Sequence, residues 1–208
     1  TVFGVRPATG SEASVWLYGD DAYTINTLVA SDQSGGGVDF VVGDYNHIGS
    51  GMTVYPRFYR RAGYGEMDME FESGGETLSF AAGGANAYDL DWPAGDVVEI
   101  WDVWLYAGDQ LHLRVQDLSR GVLDLGVALC ASNGGPYYDS EEGAAVSADA
   151  AGIGGEESLD FTADHADWYG LVVYNQNDNG GPYRITLQDG TTVAVGEGPL
   201  PQQFEFAR

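Results

Sequence analysis

At 208 residues the chain is long enough for one large domain or two of about 100 residues, and it can bury a core without disulfide staples. Its composition, 44% apolar with only 19% charged, excludes disorder, and 31 glycines spread along it suit short strands joined by tight turns. The charge of −24, from 32 acidic residues against eight arginines and no lysine, excludes nucleic acid as a partner and disfavours anionic membranes, and no apolar run is long enough for a membrane span.

Taken in chain order, the signals are those of strands. Thr1–Val5 alternates toward an extended, half-apolar segment. Val15–Tyr18, Tyr23–Ala30 and Val38–Val42 follow, separated by Gly, Asp and Ser. Thr53–Arg61 and Glu66–Glu72 then read as a hairpin about Ala62-Gly63-Tyr64-Gly65, with Arg61 opposite Glu66, Tyr59 opposite Asp68 and Arg57 opposite Glu70. Glu66, Asp68, Glu70 and Glu72 share one face of its second arm and predict a solvated charged ladder; Met67, Met69 and Phe71 share the other. The turn from Asp91 to Asp96 marks a junction. Beyond it Val97–Tyr106, Gln110–Asp117 and Val122–Cys130 predict three strands, the last carrying the lone cysteine as a small buried hydrophobe. Residues 133–155 read as a long surface loop. Trp168–Tyr174 pairs with Tyr183–Leu187, and Thr191–Val195 closes the series. Val38–Asn46 and Ala166–Asn175 resemble one another, which suggests an internal repeat. The fold expected is all-β: two antiparallel β-sandwiches of jelly-roll or Ig-like type in tandem, over 1–93 and 94–198, with an extended tail at 199–208.

The motifs Ala107-Gly108-Asp109-Gln110-Leu111-His112-Leu113, Leu123-Asp124-Leu125-Gly126-Val127, Asp167-Trp168-Tyr169 and Gly181-Pro182-Tyr183-Arg184-Ile185-Thr186-Leu187 resemble, in that order, the bacterial pre-peptidase C-terminal domain. That family is a β-sandwich appended to secreted proteins and generally non-catalytic, so the resemblance implies an accessory or structural role. The tail from Gly198 to Arg208 resembles the linker before the C-terminal sorting domain of type IX-secreted bacterial proteins. With a start at Thr1 instead of Met, this implies a processed protein exported to the cell surface.

Catalytic chemistry finds little to work with. There is no nucleophile elbow, no paired-histidine metal helix and no phosphate loop, and His47, His112 and His165 stand in unrelated contexts. Cation binding has more support. Asn175-Gln176-Asn177-Asp178-Asn179-Gly180 places oxygen-bearing side chains at alternate positions before a glycine, as a calcium loop begins. The twelfth position is Thr186, so the loop is not an EF-hand, and Asn/Asp/Gly turns use the same residues. Asp89, Asp91 and Asp96 at the junction form a second candidate for Ca2+, and Asp139, Glu141 and Glu142 a third, each against the reading of a solvated acidic surface. Trp92, Trp101, Trp104, Trp168, Tyr137 and Tyr138 are aromatic candidates for a glycan, against a role in core packing, and Tyr137 and Tyr138, on a Gly-Pro loop, are the better placed for exposure.

Both termini predict apolar alternation: Val2, Phe3 and Val5 at one end, Phe204 and Phe206 at the other. Either such a segment pairs within its own chain, or a terminal strand adds to a neighbouring copy, and head-to-tail contacts of that second kind build filaments. The sequence therefore predicts a secreted, non-catalytic surface protein that partners itself as a filament or layer subunit. The alternative is a calcium-dependent glycan- or protein-binding accessory module of a secreted hydrolase.

Overall fold

The computed structural model describes residues 1–19, 27–31, 36–43, 53–131 and 138–193. In its first part run β1 (Val2–Pro7), β2 (Glu12–Tyr18), β3 (Thr27–Ser31), β4 (Asp39–Gly43), β5 (Tyr55–Ala62), β6 (Met67–Glu72), β7 (Thr77–Leu78) and β8 (Ala85–Trp92). Then follow β9 (Val98–Leu105), β10 (Gln110–Asp117), β11 (Leu125–Cys130), β12 (Tyr138–Ser140), β13 (Val146–Ala148), β14 (Glu156–Thr162), β15 (Asp167–Asn175), β16 (Gly181–Asp189) and a single helical turn, α1 (Gly190–Val193).

The strands form four sheets, stacked face to face. The outer N-terminal sheet has the order β3-β2-β5 and the inner N-terminal sheet β12-β4-β1-β6. The inner C-terminal sheet has the order β13-β11-β15-β9-β7 and the outer C-terminal sheet β14-β10-β16-β8. Three cores fill the spaces between them. Phe3, Val5 and Val41 pack on Ala13, Val15 and Leu17 between the N-terminal sheets. Val2, Phe40 and Val42 pack on Ile100, Ala128, Cys130, Val172 and Tyr174 between the two inner sheets. The third and largest core lies between the C-terminal sheets, around Trp92, Leu113, Tyr169, Leu171, Tyr183 and Ile185. Strands β1, β4 and β11 are therefore buried along their whole length: successive side chains point to opposite faces, and both faces are covered.

The all-β sandwich expectation holds, but the strand pairings cut across a boundary at residue 93. Strand β8 pairs with β16 from Trp92↔Gly181 to Ala85↔Gln188, and β7 pairs with β9, so residues 77–92 belong to the second sandwich. The Asp91–Asp96 turn carries the chain from the outer to the inner sheet of that one sandwich. In the other direction β12 crosses back to pair with β4. The hairpin expected at 53–72 is likewise replaced. Strand β5 pairs with β2, and β6 with β1, so the Gly63–Gly65 turn links two layers instead of two neighbours. Both of its glycines have positive φ, and a Cβ on Gly63 would strike Ser11 at 2.6 Å.

Smaller differences follow the same logic. The segment at 133–155 contains β12 and β13 within what its composition marked as loop, and residues 190–193 form α1 instead of beginning a strand. The repeat partners β4 and β15 face each other across the middle core, Phe40 on Tyr174 at 5.6 Å between ring centroids. Their successors diverge, because β16 moves to the outer sheet whereas β6 stays in the inner one.

Candidate functional site

Two features stand out, a polar clamp between the inner sheets and an apolar groove at a sheet edge. The clamp begins with Arg6, a charge within the otherwise apolar strand β1. Side chains at 2, 4 and 6 point toward the C-terminal half, and there the Arg6 guanidinium is 4% exposed. Its Nη1 donates to the carbonyls of Asp96 (2.9 Å), Asn175 (3.1 Å) and Asn177 (2.7 Å). Nη2 donates to Asp68 (2.9 Å) and to the Gly95 carbonyl (3.2 Å), and pairs with Asp178 at 2.8 Å.

These contacts decide how the 175–179 loop is used. Asn175 Oδ1 accepts from the amides of Asp124 and Asn177, and Asn177 Oδ1 accepts from Asn179 N at 2.9 Å. The Asn177 and Asn179 amide groups both donate to the Val122 carbonyl. A calcium loop turns its oxygens inward on an ion. Here side-chain oxygens close Asx-type turns, and backbone oxygens receive a guanidinium. The junction acids do not converge either. Asp89 forms a two-pronged exposed pair with Arg184, which lowers its carboxyl below the ordinary range. Asp91 lines a separate polar cleft with Glu72, Glu76 and Glu99, while Asp96 gives its carbonyl to Arg6 and to Trp92 Nε1. Asp139 accepts from Ser140 N, and Glu142 is exposed. Among the described residues no three His, Cys, Asp or Glu side chains are grouped to hold a metal. His112 meets Asp160 across β10 and β14 at 2.7 Å, and His165 meets Asp164 at the surface.

The acidic face of β6 is solvated only in part: Glu66 and Asp68 are exposed, yet two of its acids are engaged. Asp68 binds Arg6, and Glu70 accepts from the amides of Val97 and Val98, the latter at 2.9 Å. Burial pushes the Glu70 carboxyl up despite the two amides that pull it down, with Asp96 and Glu72 adding repulsion. Glu99, beside them and hydrogen-bonded to Tyr183, is raised to about 7, first by burial and then by Asp96, Glu70 and Glu72.

On the opposite face of β6 apolar side chains are exposed. Met69 and Phe71 are 56% and 58% exposed, on the strand that ends the inner N-terminal sheet. With Phe3, Val54, Pro56 and Phe58 they line a groove of about 650 Å³, and Phe3 and Phe71 stand 5.1 Å apart between ring centroids. Sequence reasoning placed Met67, Met69 and Phe71 on one face, and the β1–β6 register keeps them there.

The terminal candidates separate. Val2, Phe3 and Val5 are built into the chain's own sheet between β4 and β6, and Phe3 lines the groove. Phe204, Phe206 and Tyr137 lie outside the described residues. Tyr138 enters β12, paired with Gly43. A second aromatic cluster lies on the inner C-terminal sheet. Trp104 and Trp168 stand cross-strand in an edge-to-face pair at 5.3 Å, with Tyr106 alongside, over a cavity of about 260 Å³ shared with Leu78, Phe80 and Asp109.

Neither a family model nor a curated protein matches the sequence. Among solved structures the chain is similar to the pre-peptidase C-terminal domain of a Bacillus anthracis collagenase. That match has 14% identity over 57% of this chain and 97% of the other, with a TM-score of 0.43. It is also similar to PliG, a periplasmic inhibitor of g-type lysozyme from Aeromonas hydrophila, with 13% identity, 56% and 98% coverage and a TM-score of 0.36. The VP2 subviral particle of infectious bursal disease virus matches with 10% identity, 90% and 55% coverage and a TM-score of 0.25. No helix among the described residues is long and apolar enough to cross a membrane.

Proposed function

We propose that this chain is a non-catalytic, extracellular structural protein that assembles with copies of itself by strand addition at β6, the edge of its inner N-terminal sheet among the described residues. The observation that carries this reading is β6. An edge strand offers a row of backbone donors and acceptors, and natural sheets blunt such edges with charge, proline or cover. Here Asp68 and Glu70 of the strand are engaged by Arg6 and by the Val97–Val98 amides, and Met69 and Phe71 line the edge. An added strand would gain main-chain hydrogen bonds from β6 and side-chain pockets from the groove. At −24, copies repel until salt screens them, so assembly depends on ionic strength. Light scattering and negative-stain imaging between 0.05 and 1 M salt, each with calcium or a chelator, test this: ordered polymers that grow with salt support it, and a monomer under every condition ends it.

A second reading, glycan binding, draws on the Trp104–Trp168–Tyr106 cluster, where aromatic faces stand beside the carboxylate of Asp109. Calorimetric titration with soluble oligosaccharides against Trp168→Ala tests it; no heat from either protein removes the reading.

A further inference from the structure

The groove on β6 calls for an extended segment whose apolar side chains recur every second residue, and whose charge does not add to the repulsion of a −24 surface. Residues 199–208 fit both demands. Phe204 and Phe206 are spaced for one face of a strand, and the segment holds one acid, Glu205, against one base, Arg208. Resting on the assembly reading above, we infer that residues 202–207 of one copy add as a strand to β6 of a second copy, with Phe204 and Phe206 seated against Met69, Phe71 and Phe58.

Reach selects the second copy over the chain's own groove. The tail leaves from α1, which packs on β10 and β16 of the outer C-terminal sheet. Stacked sheets lie about 10 Å apart, so the groove between the two N-terminal sheets is about 25 Å away straight through the protein. The eight residues 194–201 span at most about 28 Å when fully extended, and Pro199 and Pro201 fix part of their course. A route around the sheet edges is longer than the straight line and leaves no slack for a paired strand. Between copies no such limit applies. Donor and acceptor lie on different surfaces of each copy, so the contact is heterologous and propagates head to tail.

The test uses variants of the whole 208-residue chain. Phe204→Ser/Phe206→Ser removes the donor and keeps the groove; Met69→Ser/Phe71→Ser removes the acceptor and keeps the tail. The acceptor side chains are more than half exposed, so the acceptor variant should retain the parent's circular dichroism and melting temperature. Each alone should stay monomeric where the parent polymerises, and mixing the two should give a discrete dimer by light scattering. A labelled peptide of residues 199–208 should bind the donor-less variant at least tenfold more tightly than a chain that also carries Met69→Ser/Phe71→Ser. Polymers that persist in either variant overturn the tail-to-β6 contact while leaving self-assembly standing. A parent that stays monomeric, with the peptide binding only the donor-less variant, overturns the second copy in favour of the chain's own groove. A monomeric parent with no peptide binding removes the assembly reading as well.

Discussion

Arg6 and Glu70 grip one four-residue segment from adjoining strands. Gly4 lies opposite Glu70 and Arg6 opposite Asp68 in the β1–β6 register, so Arg6 and Glu70 are diagonal neighbours on one face. Arg6 takes the carbonyls of Gly95 and Asp96, and Glu70 takes the amides of Val97 and Val98. The entry to β9 is thus held by a cation on its acceptors and an anion on its donors. Polar groups that would otherwise be orphaned at a buried sheet-to-sheet junction become the fixings between the two halves.

Replacing Arg6 with Met should therefore destabilise the protein by about 3 kcal/mol. The loss leaves four carbonyls and Asp68 without their donor, and breaking one side of a buried charged network costs about 3–5 kcal/mol. Asp178→Ala removes only a partner that is 80% exposed, and should cost less than about 1 kcal/mol. Urea unfolding of both variants checks the ranking; equal losses would place the energy in the ion pair and not in the carbonyl cage.

Gly4→Ala tests the closeness of the inner sheets. A Cβ there would lie 2.6 and 2.8 Å from the two methyls of Val98 and 3.2 Å from Val97. Overpacking of this kind costs about 1–3 kcal/mol. Val98→Ala makes room, so the double variant should lose less than the sum of the singles, read as a double-mutant cycle of unfolding free energies. Strict additivity would mean that the sheets can separate freely at this point.

The same contact shows what was legible in the sequence. Strands with a full alternating or apolar pattern, such as β10 and β15, could be placed to within two residues, because their periodicity is local. Which strands pair is not local. The charges of 57–61 and 66–72 complement one another well enough to suggest a hairpin, yet β1 supplies β6 with Arg6 and with an apolar face at Phe3 and Val5. Ala85–Trp92 alternates polar and small residues because it is a partly solvated edge strand, and it went unread. Arg6 itself carried a signal: a charge in the middle of Val2–Pro7 needs a buried partner. The partner's position, some 170 residues away at Asn175 and Asn177, did not follow from spacing.

Calcium should raise the melting temperature no more than sodium chloride of equal ionic strength. The oxygens of Asn175 and Asn177 are committed to backbone amides and to Arg6, and an ion entering there would have to displace a guanidinium that already satisfies them. Differential scanning calorimetry with calcium, magnesium and sodium at matched ionic strength checks this. A calcium-specific rise that Asn177→Ala abolishes would return the loop to metal binding.

Stability should fall as pH rises from about 4.5 to 7, and Glu99 should carry much of the slope. Glu99 is raised to about 7 in the folded protein by burial, and then by Asp96, Glu70 and Glu72, against a hydrogen bond from Tyr183 that favours the anion. An unfolded glutamate releases its proton near 4.5. Between those values the folded state holds a proton that the unfolded state has lost, so raising the pH favours unfolding. Below 4.5 both states are protonated and the contribution is complete; above 7 both are ionised and it is gone. The difference is on the order of 3 kcal/mol. Glu70 and Asp96 are raised in the same direction and add to the slope. Glu99→Gln keeps an acceptor for the Tyr183 hydroxyl and has no proton to lose, so it should flatten this part of the profile and be more stable than the parent at pH 8. Urea midpoints at pH 4.5, 6, 7 and 8 decide it. A parallel profile in the variant would place the titrating charge elsewhere among the acids of this cleft.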